Sequence, residues 1–131
     1  MRRILIIGYE PIGHREGLRE LRRGGYEFWS FNSERASLIR KAVRHFEMHE
    51  LSVYAEDAVD DVSPNADYLA RLKRGVGVPV YHLRETPLIK GSVKYPIMDI
   101  TAQFGGYFTN SFSYMLALAI HERVDEIHLY G

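Results

Sequence analysis

The sequence predicts an α/β domain built round a mostly parallel sheet. Short apolar or aromatic runs alternate with segments of helical periodicity along the whole chain. The first run, residues 4–7, is continuously apolar and ends at Gly8, as in a strand that is buried on both faces. With 131 residues, the chain is long enough for one domain. We therefore expect a single three-layer, Rossmann-like domain over residues 1–131.

The first half of the chain predicts three strands. After the first strand, residues 17–23 have an amphipathic helical pattern, and Gly24-Gly25 ends it. Residues 26–31 are aromatic-rich and predict the second strand. A helical face follows, and we expect that helix to stop before a short third strand at 45–49. Residues 50–62 are acidic and have no clear period, which predicts a loop.

The second half begins with a strong helix start at Ser63-Pro64, and Gly75 is expected to end that helix. Residues 78–83 predict a fourth strand. Residues 84–95, which include proline and glycine, predict a loop that covers the candidate ligand site discussed below. Two further helices, a short one at 96–104 and one at 112–123, precede a fifth strand at 126–130.

We expect these five strands in the spatial order 3-2-1-4-5, with helices on both faces of the sheet. The sequence stops directly after an apolar strand, at Gly131, although a parallel strand usually leads into a functional loop. We therefore expect a fold that is truncated at its C-terminus. A small sheet with an exposed last strand is also compatible with a homodimer.

Composition narrows the function classes. Seventeen Lys and Arg residues balance seventeen Asp and Glu residues, so the chain lacks the overall positive field of a nucleic-acid binder. Cysteine is absent, which excludes a disulfide, a thiolate zinc site and a cysteine nucleophile. No apolar run approaches the roughly 18 residues that a membrane span needs. The expectation is a cytoplasmic protein without a membrane partner.

In an open parallel sheet, ligands bind beyond the carboxyl ends of the strands. The loop after the first strand is the natural phosphate site, because Gly8 lets backbone approach a ligand and the next helix start offers free N–H groups. However, Gly8 and Gly13 form neither a G-x-G-x-x-G nor a Walker pattern. The alternative is that these glycines only shape the turn.

The cluster Thr109-Asn110-Ser111 is the more specific signal. Its hydroxyl, amide and backbone donors at a helix start can bind phosphate or ribose. A plain helix cap, which needs one of the three side chains, is the alternative. Asn32 follows the second strand and could contact a base or ribose edge, or could cap the next helix.

Histidine is the candidate acid–base group. His14, His49 and His82 all follow predicted strands, and His14 and His82 are our first choices for catalysis. Glu47 and His49 point to the same side of a strand, so Glu47 is expected to orient a neighbour. The spacing gives no H-E-x-x-H pattern, and we predict no metal site.

Several segments resemble a family of small phage and prophage proteins of uncertain function. They are residues 4–8 with Pro11, the strand ending at Phe31-Asn32, and Phe46-Glu47-Met48-His49. The most specific segments are residues 107–111, 114–120 and 126–131. These are also similar to the nucleotide-binding half of bacterial CMP-sialic-acid sialyltransferases and to archaeal pterin diphosphokinase-like proteins. In those families a T-S-G-type helix start, an alanine-rich helix and an E-I-x-L-x-G-x-D strand end line the nucleotide site.

The resemblance implies a Rossmann-like nucleotide pocket, with phosphate near Gly8 and Tyr9, ribose or base near Asn32, and the nucleotide held by residues 109–111. The implied function is binding of a nucleotide or nucleotide sugar, with glycosyl- or nucleotidyl-transferase chemistry. A phage protein of this kind would work in the host cytoplasm. The competing hypothesis is a non-catalytic phage protein that sequesters a nucleotide signal or binds a host protein. A third, a nucleic-acid module that uses the helix arginines, is disfavoured by the neutral charge.

Overall fold

The computed structural model describes residues 1–57 and 64–131. Within them the chain forms a six-stranded sheet in which every paired strand is parallel to its neighbour. Its spatial order is β5-β4-β3-β2-β1-β6. The strands are β1 (Arg3–Ile7), β2 (Glu27–Phe31), β3 (Arg44–Phe46), β4 (Val80–His82), β5 (Ser92–Lys94) and β6 (Glu126–Tyr130).

Six helices connect the strands in the described residues. They are α1 (Pro11–Arg23), α2 (Ala36–Ile39), α3 (Ser52–Asp57), α4 (Pro64–Arg74), α5 (Ile97–Phe104) and α6 (Ser111–His121). None of the helices in this part of the chain combines the length and the hydropathy needed to cross a bilayer.

The sheet has a hydrophobic core on each face. Under α5 and α6, alternate strand residues such as Ile6 and Phe46 pack with Met115. On the other face, Leu5 and its neighbours pack under α1 and α2, and a further cluster including Tyr68 lies under α3 and α4. Right-handed crossovers explain this division, because the chain crosses from β1 to β5 in one direction and returns only once, to β6. The prediction of helices on both faces is confirmed.

The predicted strand order is wrong at one step. The fourth predicted strand lies beside β3, not beside β1, and β1 is paired with β6. Local sequence patterns identify strands but carry little information on which neighbour a crossover reaches. The reversal in strand order therefore falls between β1 and β6, the last strand along the chain.

Four predicted segments also differ from the structure. The third strand, predicted at 45–49, is β3 and ends at Phe46, so Glu47 and His49 follow the strand and do not lie on it. The first helix begins at Pro11, because Glu10 caps it and Pro11 occupies its first position. The predicted loop at 50–62 contains α3, while 58–63 lie outside the described residues, as does the Ser63 cap. The predicted loop at 84–95 contains the short edge strand β5, which lacks an alternating apolar pattern.

Candidate functional site

The carboxyl ends of β1 and β6 meet at two glycines. The Gly8 N–H donates to the carbonyl oxygen of Tyr130 at 2.6 Å. A Cβ atom on Gly8 would lie 2.5 Å from the Gly131 carbonyl oxygen, and one on Gly13 would lie 2.4 Å from the Gly131 nitrogen. Such distances leave no room for a side chain at either position. These glycines therefore allow close backbone packing where the strand order reverses.

His14 lies directly over this packed turn. Its Nδ1 atom is 2.8 Å from the carbonyl oxygen of Gly8. A carbonyl oxygen only accepts, so Nδ1 carries the hydrogen and Nε2 of the neutral ring is left as an acceptor. The ring is partly exposed. His14 can therefore accept a hydrogen bond or a proton from a group at the carboxyl ends of the strands, which we call the carboxyl edge of the sheet.

Tyr9 lies beside β2 at the same edge. The residue is half exposed, while its hydroxyl donates to the Phe31 carbonyl oxygen at 2.7 Å. The two rings lie 5.3 Å apart. Burial raises the pKa of the Tyr9 hydroxyl, and the carboxylates of Glu34 and Glu47 raise it further. The half-exposed ring is thus held in place by the bond from its protonated hydroxyl.

Asn32 and Ser111 meet across the sheet edge. The Ser111 hydroxyl donates to Asn32 Oδ1 at 2.9 Å, which joins the start of α6 to the end of β2. Asn32 has a φ of 57°, in the left-handed region that asparagine tolerates better than most residues. Its side chain accepts from α6 instead of capping α2, which begins at Ala36 without a side-chain cap.

The other two residues of the polar cluster have separate roles. Asn110 caps α6, because its Oδ1 accepts the Ser113 N–H at 3.0 Å in a reciprocal capping box. Thr109 is exposed. The cap that sequence reasoning offered as the alternative is therefore present at Asn110, while Thr109 and Ser111 do not perform it.

The N-terminus of α1 already holds an anion. Both oxygens of Glu10 accept backbone N–H groups, from Ile12 at 3.1 Å and from Gly13 at 2.7 Å. These bonds lower the pKa of the Glu10 carboxyl. A phosphate on these amides would have to displace Glu10.

His82, at the end of β4, is only 3% exposed. Its Nδ1 atom donates to the carbonyl oxygen of Glu47, which ties β4 to the segment after β3. This bond gives His82 a structural role. His14 is the more accessible of the two histidines that the sequence singles out for catalysis.

A cluster of polar side chains lies at this edge directly after β3. Glu47 is fully buried, and its Oε1 accepts from the hydroxyls of Tyr54 and Tyr68 at 2.8 Å each. Its Oε2 accepts the His49 N–H at 3.1 Å and lies 2.9 Å from His49 Nδ1. The expectation that Glu47 orients a neighbour describes this contact, but the two tyrosines were not predicted.

A chain of hydrogen bonds continues behind Glu47. His45 is fully buried, with Nε2 2.9 Å from the Tyr68 hydroxyl and Nδ1 2.8 Å from the Ser30 hydroxyl. Burial lowers the pKa of His45 to about 3, so its ring is neutral. The available signal was the alternation of His45, Glu47 and His49, three polar residues on one side of the strand predicted at 45–49, although β3 ends at Phe46.

Within the described residues, no three His, Asp or Glu side chains are grouped closely enough to hold a metal ion. A scan of family models, a search of curated proteins and a search of solved structures each gave no match to this chain.

Proposed function

We propose that the chain is a Rossmann-like domain that binds a nucleotide or nucleotide sugar at the carboxyl edge of its sheet. The observation that supports this most is the hydrogen bond between Ser111 and Asn32. It brings together two segments whose side chains are chemically able to bind a ligand, next to the half-exposed ring of Tyr9, which bonds to the Phe31 carbonyl oxygen. In doubly wound sheets the edge where strand order reverses is the usual ligand site.

Each ligand part has a chemically suited neighbour in this proposal. The exposed face of Tyr9 can stack on a base, and base–aromatic stacking contributes about 1–3 kcal/mol where it has been measured. The Asn32 amide nitrogen can donate to a base or ribose oxygen. The exposed hydroxyl of Thr109 and the Nε2 atom of His14 can bond to ribose or phosphate. Because Glu10 occupies the amides of α1, we place the phosphate outside that helix start.

The test is a titration of ¹⁵N-labelled protein with CMP, UMP, AMP and GMP, followed by NMR. We expect shift changes at Tyr9, Asn32 and residues 109–111 with at least one nucleotide. Tyr9→Ala should weaken that binding roughly 10-fold, as expected for loss of about 1–2 kcal/mol of stacking. Val43→Ala is the matched control, because Val43 is 49% exposed and immediately precedes β3, at the amino ends of the strands. No shift change at the carboxyl edge with millimolar nucleotide would refute the proposal.

A non-catalytic protein that sequesters a nucleotide signal or docks on a host protein is the second candidate. The capped start of α1 favours it, because the amides that commonly hold a transferred phosphate are engaged by Glu10. This candidate expects the same shift changes, with the nucleotide unchanged after long incubation. Phosphorus NMR of the incubated ligand separates this candidate from a binding domain that also has glycosyl- or nucleotidyl-transferase chemistry.

A further inference from the structure

The strongest unassigned feature is the pair formed by Glu47 and His49. Glu47 lies directly after β3 with no exposed surface, whereas 45% of the His49 side chain is exposed. Backbone N–H and tyrosine hydroxyl donors engage both carboxylate oxygens. A carboxylate with this bonding is well suited to accept a hydrogen bond from His49 Nδ1, which lies 2.9 Å from its Oε2 atom. The buried group therefore fixes the ring of an accessible one.

The tyrosines can only act as donors to Glu47. Burial raises the pKa of both Tyr54 and Tyr68, and the nearby Glu47 raises each further, so both hydroxyls stay protonated. Since Tyr68 donates to Glu47, its oxygen accepts from Nε2 of the neutral His45. His45 Nδ1 in turn accepts from Ser30. This one-way chain of hydrogen bonds holds the Glu47 carboxylate in a single orientation.

The exposed end of the pair is chemically available. With its hydrogen on Nδ1, the neutral His49 ring has an unprotonated Nε2 atom, and 45% of the side chain is exposed. The ring is held edge-on against Tyr54, with 5.9 Å between ring centroids. A network that served only to fix the chain after β3 would not need an accessible imidazole at its end.

The pair also lies near the proposed ligand. Burial and Glu34 raise the pKa of the Tyr9 hydroxyl most, and the Glu47 carboxylate adds a smaller contribution in the same direction. The Asn32 N–H donates to the carbonyl oxygen of Phe46, the residue before Glu47. Tyr9 and Asn32 thus connect the proposed nucleotide site to the Glu47–His49 pair along one edge of the sheet.

We propose that Glu47 and His49 form an acid–base dyad that hydrolyses a phosphoester of the bound nucleotide. This rests on the proposed function, because phosphorus is the electrophile that all nucleotides share. His49 Nε2 takes a proton from a water molecule, and the water oxygen forms a bond to phosphorus. The bond from phosphorus to the leaving oxygen breaks, and that oxygen keeps the electron pair. The leaving oxygen then receives the proton from the imidazolium. His49 is the catalytic residue and Glu47 is the positioning residue.

The p-nitrophenyl ester of thymidine 5′-phosphate is the probe, because release of p-nitrophenolate is visible. His49→Ala should lower kcat about 100-fold or more, the usual contribution of a general base. Glu47→Gln should lower kcat about 10-fold or more and leave KM within about 2-fold. His121→Ala is the matched control, because His121 is a histidine whose side chain bonds to Gln103 at the far end of α6. It should leave both constants unchanged.

Circular dichroism and the nucleotide-induced NMR shifts of each variant separate the two proposals. Nucleotide shifts in the folded wild type, with no release above buffer or with equal release by His49→Ala, would overturn the dyad and leave the binding proposal standing. Absence of those shifts in the wild type would instead overturn the binding proposal, and the dyad with it. If Glu47→Gln is unfolded, Tyr54→Phe, which removes one donor to Oε1, should still lower kcat at unchanged KM.

Discussion

The hydroxyl of Ser111 and the Oδ1 atom of Asn32 lie 2.9 Å apart although 79 residues separate them in the chain. The bond spans the two faces of the fold, since α6 covers one face and Asn32 leads into α2 on the other. It also explains why a residue with a φ of 57° is asparagine, since glycine would supply the conformation but not the acceptor.

Substitutions of Asn32 should separate these two roles. Both Asn32→Gly and Asn32→Ala lose the bond from Ser111. The alanine variant in addition keeps a β-carbon in the left-handed region without the tolerance of asparagine for it, whereas the glycine variant has none. We expect the alanine variant to be less stable than the glycine variant by about 1 kcal/mol in urea unfolding. The neighbouring Ser33, which has no positive φ, is the control, and there alanine should be at least as stable as glycine. The opposite order at position 32 would contradict the assigned conformation.

The buried ring of His45 predicts a specific loss of stability in acid. Its pKa is about 3 in the folded chain against 6.5 for the free side chain, so the unfolded state binds the extra proton. The contribution of His45 to the free energy of unfolding is therefore fully present above pH 6.5. It falls by about 1.4 kcal/mol per pH unit as the pH is lowered towards 3. Urea unfolding at several pH values between 6 and 4 gives the free energy of unfolding as a function of pH. The slope of this dependence should be smaller by that amount in His45→Gln than in the wild type. His121→Gln is the matched control, and equal slopes in wild type and His45→Gln would count against a buried neutral ring.

The contact of α1 with the sheet depends on Gly17. A Cβ atom there would lie 2.8 Å from Cγ1 of Ile7 and 2.9 Å from Cβ of Tyr130. Gly17→Ala should therefore destabilise the fold by about 1–3 kcal/mol through overpacking, even though alanine favours a helix. Gly106→Ala is the control, because its new Cβ would meet Thr101 at an ordinary 3.8 Å. A more stable Gly17→Ala variant would mean that α1 lies farther from β1 and β6.

Arg44 is held between two aromatic rings. Its guanidinium carbon lies 4.5 Å from the Trp29 ring centroid and 4.8 Å from that of Tyr81, and it forms a 2.8 Å ion pair with Glu122. Arg44→Lys should lower the free energy of unfolding by about 1–2 kcal/mol, because an ammonium group cannot stack on both rings as the planar guanidinium does. Arg23→Lys, at the exposed pair with Glu20, should leave Tm unchanged. Equal Tm values for the two variants would show that the stacking contributes little.

The sequence was most informative where a local rule determines the structure. Residues 4–7 and 126–130 predicted β1 and β6, and Pro64 and Gly75 marked both ends of α4. Strand order was not accessible in this way, because a local pattern does not identify the strand that a crossover will reach, and α5 and α6 lead the chain back to β6 beside β1. β5 was missed because an edge strand of three residues needs no apolar alternation.

The candidate site followed the same division. Segments after strands could be named because parallel topology brings them to one edge, and Asn32 and Ser111 do meet there. The tyrosines that engage Glu47 could not be named, since Tyr54 and Tyr68 come from helices whose placement over β3 depends on tertiary packing. Glu10 was overlooked because its capping role becomes visible only once the helix is known to begin at Pro11.

The pairing of β1 with β6 has a consequence for biosynthesis. Arg3 and Glu126, which are matched in this pairing, lie 123 residues apart. During translation, the backbone N–H and C=O groups on one side of the apolar strand β1 have no partner until β6 leaves the ribosome. An unpaired strand edge can pair with strands of other chains. Nascent chains halted before β6 should thus be prone to aggregation and to capture by chaperones, whereas folding after release should be slow for a domain of this size.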